Sequence, residues 1–182
     1  MCSSDLFEVS KDYVNRFLES EQQLISEKNE LKIIATEQNL ETTIEIEGFD
    51  FPITIKGQVD RIDELNGLTR IIDYKTGTVE SSHLKVADMS LIADEKYSKA
   101  IQVLLYGYMY TKNNPTTMKI ESGIISFKNL KSGFLKVDFG KNDYEITTKR
   151  LDEFIDIIKE LIKEIFDTSI PFTEKIHEKH KV

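Results

Sequence analysis

Residues 57–77 read GQVDRIDELNGLTRIIDYKTG and predict a β-hairpin. Apolar residues alternate with polar ones before Asn66-Gly67, and a second apolar run, residues 68–75, follows this dipeptide. An Asn-Gly pair between two such runs is the strongest short-range signal for a two-residue hairpin turn. A turn of this kind pairs Leu65 with Leu68 and sets the register of the whole hairpin.

Two aspartates and a lysine fall on one face of this predicted hairpin. Side chains repeat a face every second residue, so the register sets Asp60 directly opposite Asp73. The same register sets Gln58 opposite Lys75 on that face. A four-residue loop would slide the pairing and keep both aspartates on one face, whereas a three-residue loop would not.

Facing carboxylates repel one another unless they share a proton or bind a cation. With Lys75 alongside, a divalent metal ion is the simpler answer. Hard cations such as Mg²⁺ prefer oxygen ligands and are usually held by one or two carboxylates plus substrate phosphates. The alternative is a surface hairpin with solvated charges; the second aspartate and the flanking glycines argue against it. On the other face, Asp63 is predicted to meet Arg70 as an ordinary ion pair.

Three motifs in a fixed order carry a family resemblance. They are GQVD at residues 57–60, DYKTG at residues 73–77 and QVLLY at residues 102–106. In order and spacing they resemble the PD-(D/E)XK nuclease superfamily, over roughly residues 37–128. Within it they resemble the RecB-like branch, which includes AddB-type helicase–nuclease subunits and CRISPR-associated adaptation nucleases.

This resemblance implies a metal-dependent deoxyribonuclease, an exodeoxyribonuclease of DNA repair and recombination, with Mg²⁺ or Mn²⁺ as cofactor. It assigns metal binding to Asp60, Asp73 and the backbone carbonyl of Tyr74. Lys75 is the implied catalytic lysine, which orients water and stabilises developing charge. The catalytic set is therefore Asp60, Asp73 and Lys75.

The resemblance also implies roles for residues outside the hairpin. Gln102 and Tyr106 are four residues apart on one helix face and are expected at the DNA; a helix-packing role is the alternative. Glu37, expected at the head of the first strand, is a helper for the site or simply an exposed strand residue. RecB-like nucleases tend to have an upstream histidine ligand, but no histidine precedes His83. This departure keeps open a catalytically silent, nuclease-derived module that binds DNA or a helicase partner.

The length and the net charge of the chain limit how many domains it can form and which partners it can bind. The chain has 182 residues, 40% hydrophobic, which suits one core, so we expect one nuclease-like domain over residues 1–182 that is a piece of a longer chain. The net charge of -8 excludes a basic DNA-coating protein. DNA, the expected partner, would be held by local basic groups, by metal, or by a helicase domain or subunit of the same assembly.

The cysteine count and the lack of long apolar runs indicate the cellular compartment. The single cysteine, Cys2, excludes an internal disulfide, a zinc ribbon and a cysteine-ligated iron–sulfur cluster within this chain. We therefore expect a cytoplasmic protein; a cluster like that of some RecB-like nucleases lies beyond the sequence or is lacking. No apolar run is long enough to span a bilayer, and the first residues lack a signal peptide's features.

The pattern of elements predicts an α/β fold, a central mixed sheet flanked by helices, as in the restriction-endonuclease-like core that the resemblance implies. An amphipathic helical stripe runs toward Leu31, as one or two helices. The other predicted elements are a strand over residues 33–47, the central hairpin, a helix over 97–112, a second hairpin with strands 118–127 and 134–139, and a helix from Thr147 or Thr148.

Several polar residues outside these motifs have two readings. Lys128 and Lys131, in the second hairpin's connection, can contact phosphate, although a solvated turn is favoured. Residues 78–96 are expected to form a loop or short helix over the site, with His83 solvated rather than a ligand. His177 and His180 can bind metal weakly, although a disordered terminus is favoured.

Overall fold

The computed structural model describes residues 3–117 and 119–173. Its helices are α1 (Ser3–Ser26), α2 (Ser98–Asn113) and α3 (Thr148–Phe166). Its strands are β1 (Leu31–Ile44), β2 (Ile53–Leu65), β3 (Leu68–Lys75), β4 (Ile120–Ser126) and β5 (Phe134–Lys136). Four short 3₁₀ segments complete the description: Ser81–Leu84, Met89–Leu91, Glu95–Tyr97 and Phe127–Ser132.

The five strands form one mixed sheet in the order β1-β2-β3-β4-β5. All neighbours are antiparallel except β3 and β4, which run parallel. A parallel pair needs a crossover connection. The chain between Lys75 and Ile120 supplies it and contains α2. The predicted α/β class, with a mixed sheet flanked by helices, is confirmed.

The central hairpin has the predicted turn and register. Asn66 and Gly67 have φ of 52° and 80°. A type I′ turn needs positive φ at both central residues, which explains the Asn-Gly pair. Leu65 pairs with Leu68, and the ladder continues to the pair of Arg61 with Ile72.

The first strand differs from its prediction. β1 begins at Leu31, so Glu37 lies in the strand interior and not at its head. Glu37 has φ of 51°, and the described ladder with β2 passes from the pair Thr36–Arg61 to the pair Gln38–Val59 without it. The register is the same on both sides of Glu37, and the register shift of β1 lies between Ile33 and Ala35. The alternation of side chains in the sequence predicts neither feature.

The main core lies between the sheet and the helices α2 and α3. Its fully buried members, all under 2% exposed, include Val59, Ile62, Ile71, Ile124, Val103, Leu104 and Phe154. Residues 78–96, predicted as a loop or short helix over the site, contain irregular chain and short 3₁₀ segments, and they also contribute to the core. They bury Val79, Leu84, Val86 and Ile92 in the same core.

Helix α1 is one helix and packs through a narrow stripe. It continues to Ser26, and Lys28, with φ of 66°, lies in the turn that follows. Its half-buried residues recur at helical spacing: Tyr13, Phe17, Glu21 and Leu24. Within the described part of the chain, no helix is long and apolar enough to cross a membrane.

The second hairpin is confirmed, with a shorter second strand than predicted. β4 and β5 pair antiparallel around Gly123–Lys136. The 3₁₀ segment Phe127–Ser132, hereafter the 3₁₀ connection, joins them. Helix α3 begins as predicted, because the Thr147 side chain accepts a hydrogen bond from the Arg150 amide.

Asp63 and Arg70 form more than the ordinary ion pair that was predicted. Asp63 is fully buried and accepts two hydrogen bonds from Arg70, at 2.7 and 2.8 Å. Arg61 lies between Asp63 at 2.6 Å and Glu21 of α1 at 2.7 Å. The ion pair became a four-residue buried chain because α1 covers this face of the hairpin.

Candidate active site

Asp60 and Asp73 lie at the end of the central hairpin, on neighbouring strands. Asp73 is 3% exposed, and Asp60 is half-buried. The predicted backbone pairing of these two residues is not found, since the described ladder ends at Arg61–Ile72. Instead, the Tyr74 amide donates a 2.6 Å hydrogen bond to Oδ2 of Asp60. This bond holds the Asp60 carboxylate against β3, next to Asp73.

Lys75 and Gln102 both contact the Asp73 carboxylate. Lys75 Nζ lies 2.9 Å from Oδ2 of Asp73, and the Gln102 amide donates to Oδ1 at 3.0 Å. Lys75 also donates to Oε1 of Gln102 at 3.0 Å. The Gln102 amide donates in addition to the Tyr106 hydroxyl at 2.9 Å. The structure thus brings four of the predicted site residues into one hydrogen-bonded group.

Gln58, which was predicted to lie opposite Lys75, contacts β1 instead. Gln58 is exposed, and its amide reaches the Glu37 carbonyl at 3.4 Å rather than Lys75. The described ladder between β2 and β3 ends at Arg61–Ile72, so no backbone pairing holds Gln58 opposite Lys75. Glu37 itself is exposed.

The charge state of Asp73 depends on its surroundings. Burial raises the pKa of the Asp73 carboxyl, the ion pair with Lys75 lowers it, and the negative charge of Asp60 raises it again, with a net upward shift. A cation at the Asp73 oxygens therefore favours the ionised form of the carboxyl. Lys75 provides that cation in this structure.

The Tyr106 ring lies directly over the backbone of β2, at Gly57. A Cβ at Gly57 would lie 2.6 Å from Cε1 of Tyr106 and 3.0 Å from Cε of Met109. A glycine in a strand interior often marks such a close approach. The motif GQVD contains Gly57 but does not predict its contact with Tyr106; an isolated glycine in a strand is the signal that could have found it.

Tyr74 presents only its backbone to the two aspartates. Its ring packs edge-on against Phe17 of α1, with centroids 5.5 Å apart, and its hydroxyl accepts a hydrogen bond from Arg61 at 3.2 Å. Burial raises the pKa of the Tyr74 hydroxyl, while Arg61 lowers it, with a net upward shift. The side chain therefore belongs to the face covered by α1, opposite the face of Asp73 and Lys75.

The two aspartates fit a hard divalent cation in their donor chemistry. Within residues 3–117 and 119–173, no three side chains of the His, Cys, Asp and Glu types form a metal-binding group. A Mg²⁺ site needs fewer, because one or two carboxylates with waters and phosphate oxygens suffice. Among the described residues, Oδ2 of Asp73 is buried and has the Lys75 ammonium at 2.9 Å but no hydrogen-bond partner, so its lone pairs suit a bound cation.

The histidines do not join this group in the part of the chain that the structure describes. His83 is half-buried, and its Nδ1 accepts a hydrogen bond from the Glu80 amide at 3.1 Å, so it caps a 3₁₀ segment. His177 and His180 lie outside the described residues.

Comparisons with known proteins place the chain in a family. A solved structure described as "Crystal structure of SSO0001" is similar at 13% identity and a TM-score of 0.30, covering 88% of this chain and 68% of that chain. A comparison with curated proteins gives no match. The model of the PD-(D/E)XK nuclease superfamily matches residues 4–177, and the mixed sheet flanked by helices is consistent with its restriction-endonuclease-like fold. Because this match covers nearly the whole sequence, the chain belongs to the PD-(D/E)XK nuclease superfamily, whose members are nucleases.

Proposed function

We propose that this protein is a Mg²⁺- or Mn²⁺-dependent deoxyribonuclease whose catalytic residues are Asp60, Asp73 and Lys75. The observation that carries the proposal is the group in which Gln102 joins the Asp73 carboxylate to Lys75, with Asp60 held alongside by the Tyr74 amide. Two acidic side chains and one amine at the end of a hairpin are the parts that phosphodiester hydrolysis needs.

Each residue of this group has a distinct task. Asp60, Asp73 and the Tyr74 carbonyl would hold the metal ion, which would polarise the phosphate and lower the pKa of water. Lys75 is half-buried and already anchored on Gln102, so its ammonium is held in one place. There it donates a hydrogen bond to the attacking water or to a phosphate oxygen, and stabilises the negative charge that develops.

Gln102 and Tyr106 position the DNA strand and the lysine. Both lie on α2, and their mutual hydrogen bond fixes the Gln102 amide between Lys75 and Asp73. Glu37 is assigned as a helper, since its strand neighbours pair with the β2 residues on both sides of Asp60. Its side chain is exposed and free to approach a bound substrate.

The biological setting is part of the proposal. We assign the chain to the RecB-like, AddB-like branch and to exonucleolytic work in cytoplasmic DNA repair or recombination. We further propose that residues 1–182 are one domain of a longer protein that works with a helicase domain or subunit. Support comes from the three motifs and from the net charge of -8, which leaves DNA capture to local groups or to a partner.

The test is cleavage of labelled single- and double-stranded DNA with Mn²⁺ or Mg²⁺. The protein should cut DNA, and Asp73→Asn or Lys75→Met should each lower the rate by about 10²–10³-fold or more, as expected when a preorganised charge is removed. A closed circular substrate should resist cutting if the action is exonucleolytic.

Asp50→Asn and Lys56→Met serve as matched controls. Both residues are exposed on the surface, so the same chemical changes there should leave the rate unchanged. The proposal fails if the protein does not cleave DNA, or if Asp73→Asn and Lys75→Met leave the cleavage rate unchanged.

The second candidate is a catalytically silent module that binds DNA or a helicase partner. It is favoured by the lack of a third metal-binding side chain among the described residues, and by the ion pair that occupies Asp73. If this candidate is correct, the protein does not cleave DNA, and neither Mg²⁺ nor Lys75→Ala changes its affinity for DNA.

A further inference from the structure

A groove runs between α1 and the 3₁₀ connection, apart from the residues assigned to catalysis. Its volume is about 600 Å³. From α1 it is lined by Arg16, Glu19, Ser20 and Gln23, and from the other side by the chain from Phe127 to Lys131. This volume is in the range of small-molecule sites, which gives room for a few nucleotides of a single strand.

The groove begins next to the catalytic hairpin. Lys75 pairs with Ser126 across β3 and β4, and Phe127 is the next residue along the chain. The Phe127 ring lies 5.6 Å from the Tyr74 ring. The groove lies on the α1 side of the sheet and the carboxylates on the α2 side, so a strand that contacts both would have to pass around this end of the sheet.

Positive charge is concentrated in the groove. Lys128 and Lys131 are exposed, and neither has an ion-pair partner within the described residues. Arg16 contacts Asp12 at 2.9 Å, but this pair is more than half exposed and so contributes little. Glu19 is the acid of the lining. Three cations against one acid stand out in a chain of net charge -8.

The lysines stand on a segment that is fixed to the hairpin. The Asn129 amide donates to the Val79 carbonyl at 3.0 Å, and the Ser126 hydroxyl donates to the Gly77 carbonyl at 2.7 Å. These bonds tie both ends of the segment's first turn to the residues that follow Lys75. A preorganised segment loses little entropy when a ligand binds.

We propose that this groove binds the phosphate backbone of single-stranded DNA, with Lys128, Lys131 and Arg16 at the phosphates. Phe127, half-buried at the head of the groove, offers a ring edge or face to a base. The inference rests on the proposed nuclease function for the identity of the ligand. It adds a preference for single-stranded DNA and a path for the bound strand, neither of which the three motifs predict.

The experiment measures binding in EDTA, so that neither metal nor cleavage is involved. Fluorescence anisotropy with labelled oligothymidylate is recorded over a series of NaCl concentrations, for the wild-type protein and for Lys128→Gln/Lys131→Gln. The double variant should bind about tenfold more weakly, and its log K against log salt slope should be shallower by about 1.4, as two lost phosphate contacts on a single strand predict.

Lys32→Gln/Lys149→Gln is the matched control, because it removes the same charge from exposed sites on β1 and α3. The control should keep the wild-type affinity and slope. Equal losses in the two double variants, or duplex DNA bound as tightly as the single strand, would overturn the proposal. Groove-dependent binding in a protein that never cleaves DNA would support the groove and refute the nuclease.

Discussion

Gln102 connects the other side chains of the candidate active site. Its carbonyl oxygen accepts from Lys75, and its amide group donates to Asp73 and to Tyr106. One side chain thus satisfies three partners, and its own position depends on Tyr106, whose ring rests on Gly57. The absence of a side chain at residue 57 is therefore a requirement of the site as well as of the strand.

We expect Gly57→Ala to damage both stability and catalysis. The new methyl group would lie 2.6 Å from the Tyr106 ring, so the ring and Gln102 must move. Overpacking of this kind costs about 1–3 kcal/mol of unfolding free energy. A displacement near 1 Å in a catalytic group lowers turnover by about 10²-fold. Urea denaturation and DNA cleavage measure the two effects.

Gly77→Ala is the matched control. A Cβ at Gly77 would meet no atom within 4 Å, so the residue has space for the methyl group. We expect this variant to keep wild-type stability to within about 0.5 kcal/mol. Similar losses in both variants would show that the contact between Gly57 and Tyr106 is unimportant.

At the level of elements, a buried ionic chain attaches α1 to the central hairpin. Glu21 on α1, Arg61 and Asp63 on β2, and Arg70 on β3 alternate in charge. Burial by itself would lower the pKa of Arg61, but hydrogen bonds to Glu21 and Tyr74 and the charge of Asp63 raise it overall, so Arg61 stays charged. The helix has few other anchors, because several of its apolar side chains, such as Phe7 and Leu18, are exposed.

We expect Arg61→Met to destabilise the protein strongly. The change leaves the Glu21 carboxylate and the Tyr74 hydroxyl without their partner, and removes one of the two arginines at Asp63. Breaking a buried ion pair on one side costs about 3–5 kcal/mol. Urea denaturation followed by circular dichroism gives the loss.

The comparison is Lys56→Met, which breaks a surface ion pair with Glu41 whose two side chains are 70% and 69% exposed. We expect a change of at most about 1 kcal/mol there, because exposed pairs contribute little. If Arg61→Met lowered the free energy of unfolding as little as Lys56→Met, the ionic chain would have no role in attaching α1 to the hairpin.

The whole molecule is acidic and carries its positive charge locally. With a net charge of -8, its overall field repels nucleic acid. We therefore expect attraction to come from a cation bound at the aspartates and from the groove beside α1. Membership of the PD-(D/E)XK superfamily makes the first of these the general expectation, since its members use divalent metal ions.

We expect Mn²⁺ to stabilise the whole fold. A ligand that binds the native state at a hundred times its Kd adds about 2.7 kcal/mol. For a chain of this size that raises Tm by about 5–11 °C. Thermal unfolding with Mn²⁺ and with EDTA measures the shift, which Asp60→Asn or Asp73→Asn should remove.

Asp50→Asn, at an exposed loop carboxylate, should keep the full Mn²⁺ shift. A shift that survives both Asp60→Asn and Asp73→Asn would place the cation elsewhere on the protein.

Local patterns in the sequence determined the central hairpin and the class of the fold. Asn66-Gly67 set the turn, the turn set the register, and the register put Asp60, Asp73 and Lys75 on one face. Thr147 likewise marked the start of α3. These features are predictable because they depend on backbone preferences and on side-chain alternation within a few residues of each other.

Only the tertiary structure decided which contacts the distant side chains make at the site. Gln102 reaches Asp73 across 29 positions of the chain, Tyr106 rests on Gly57 across 49, and Arg61 bonds to Glu21 across 40. The crossover that makes β4 parallel to β3 brings α2 over the hairpin, and α1 covers the other face. Such contacts depend on how whole elements pack, which no local period records, and so the groove and the buried ionic chain had to be seen in three dimensions.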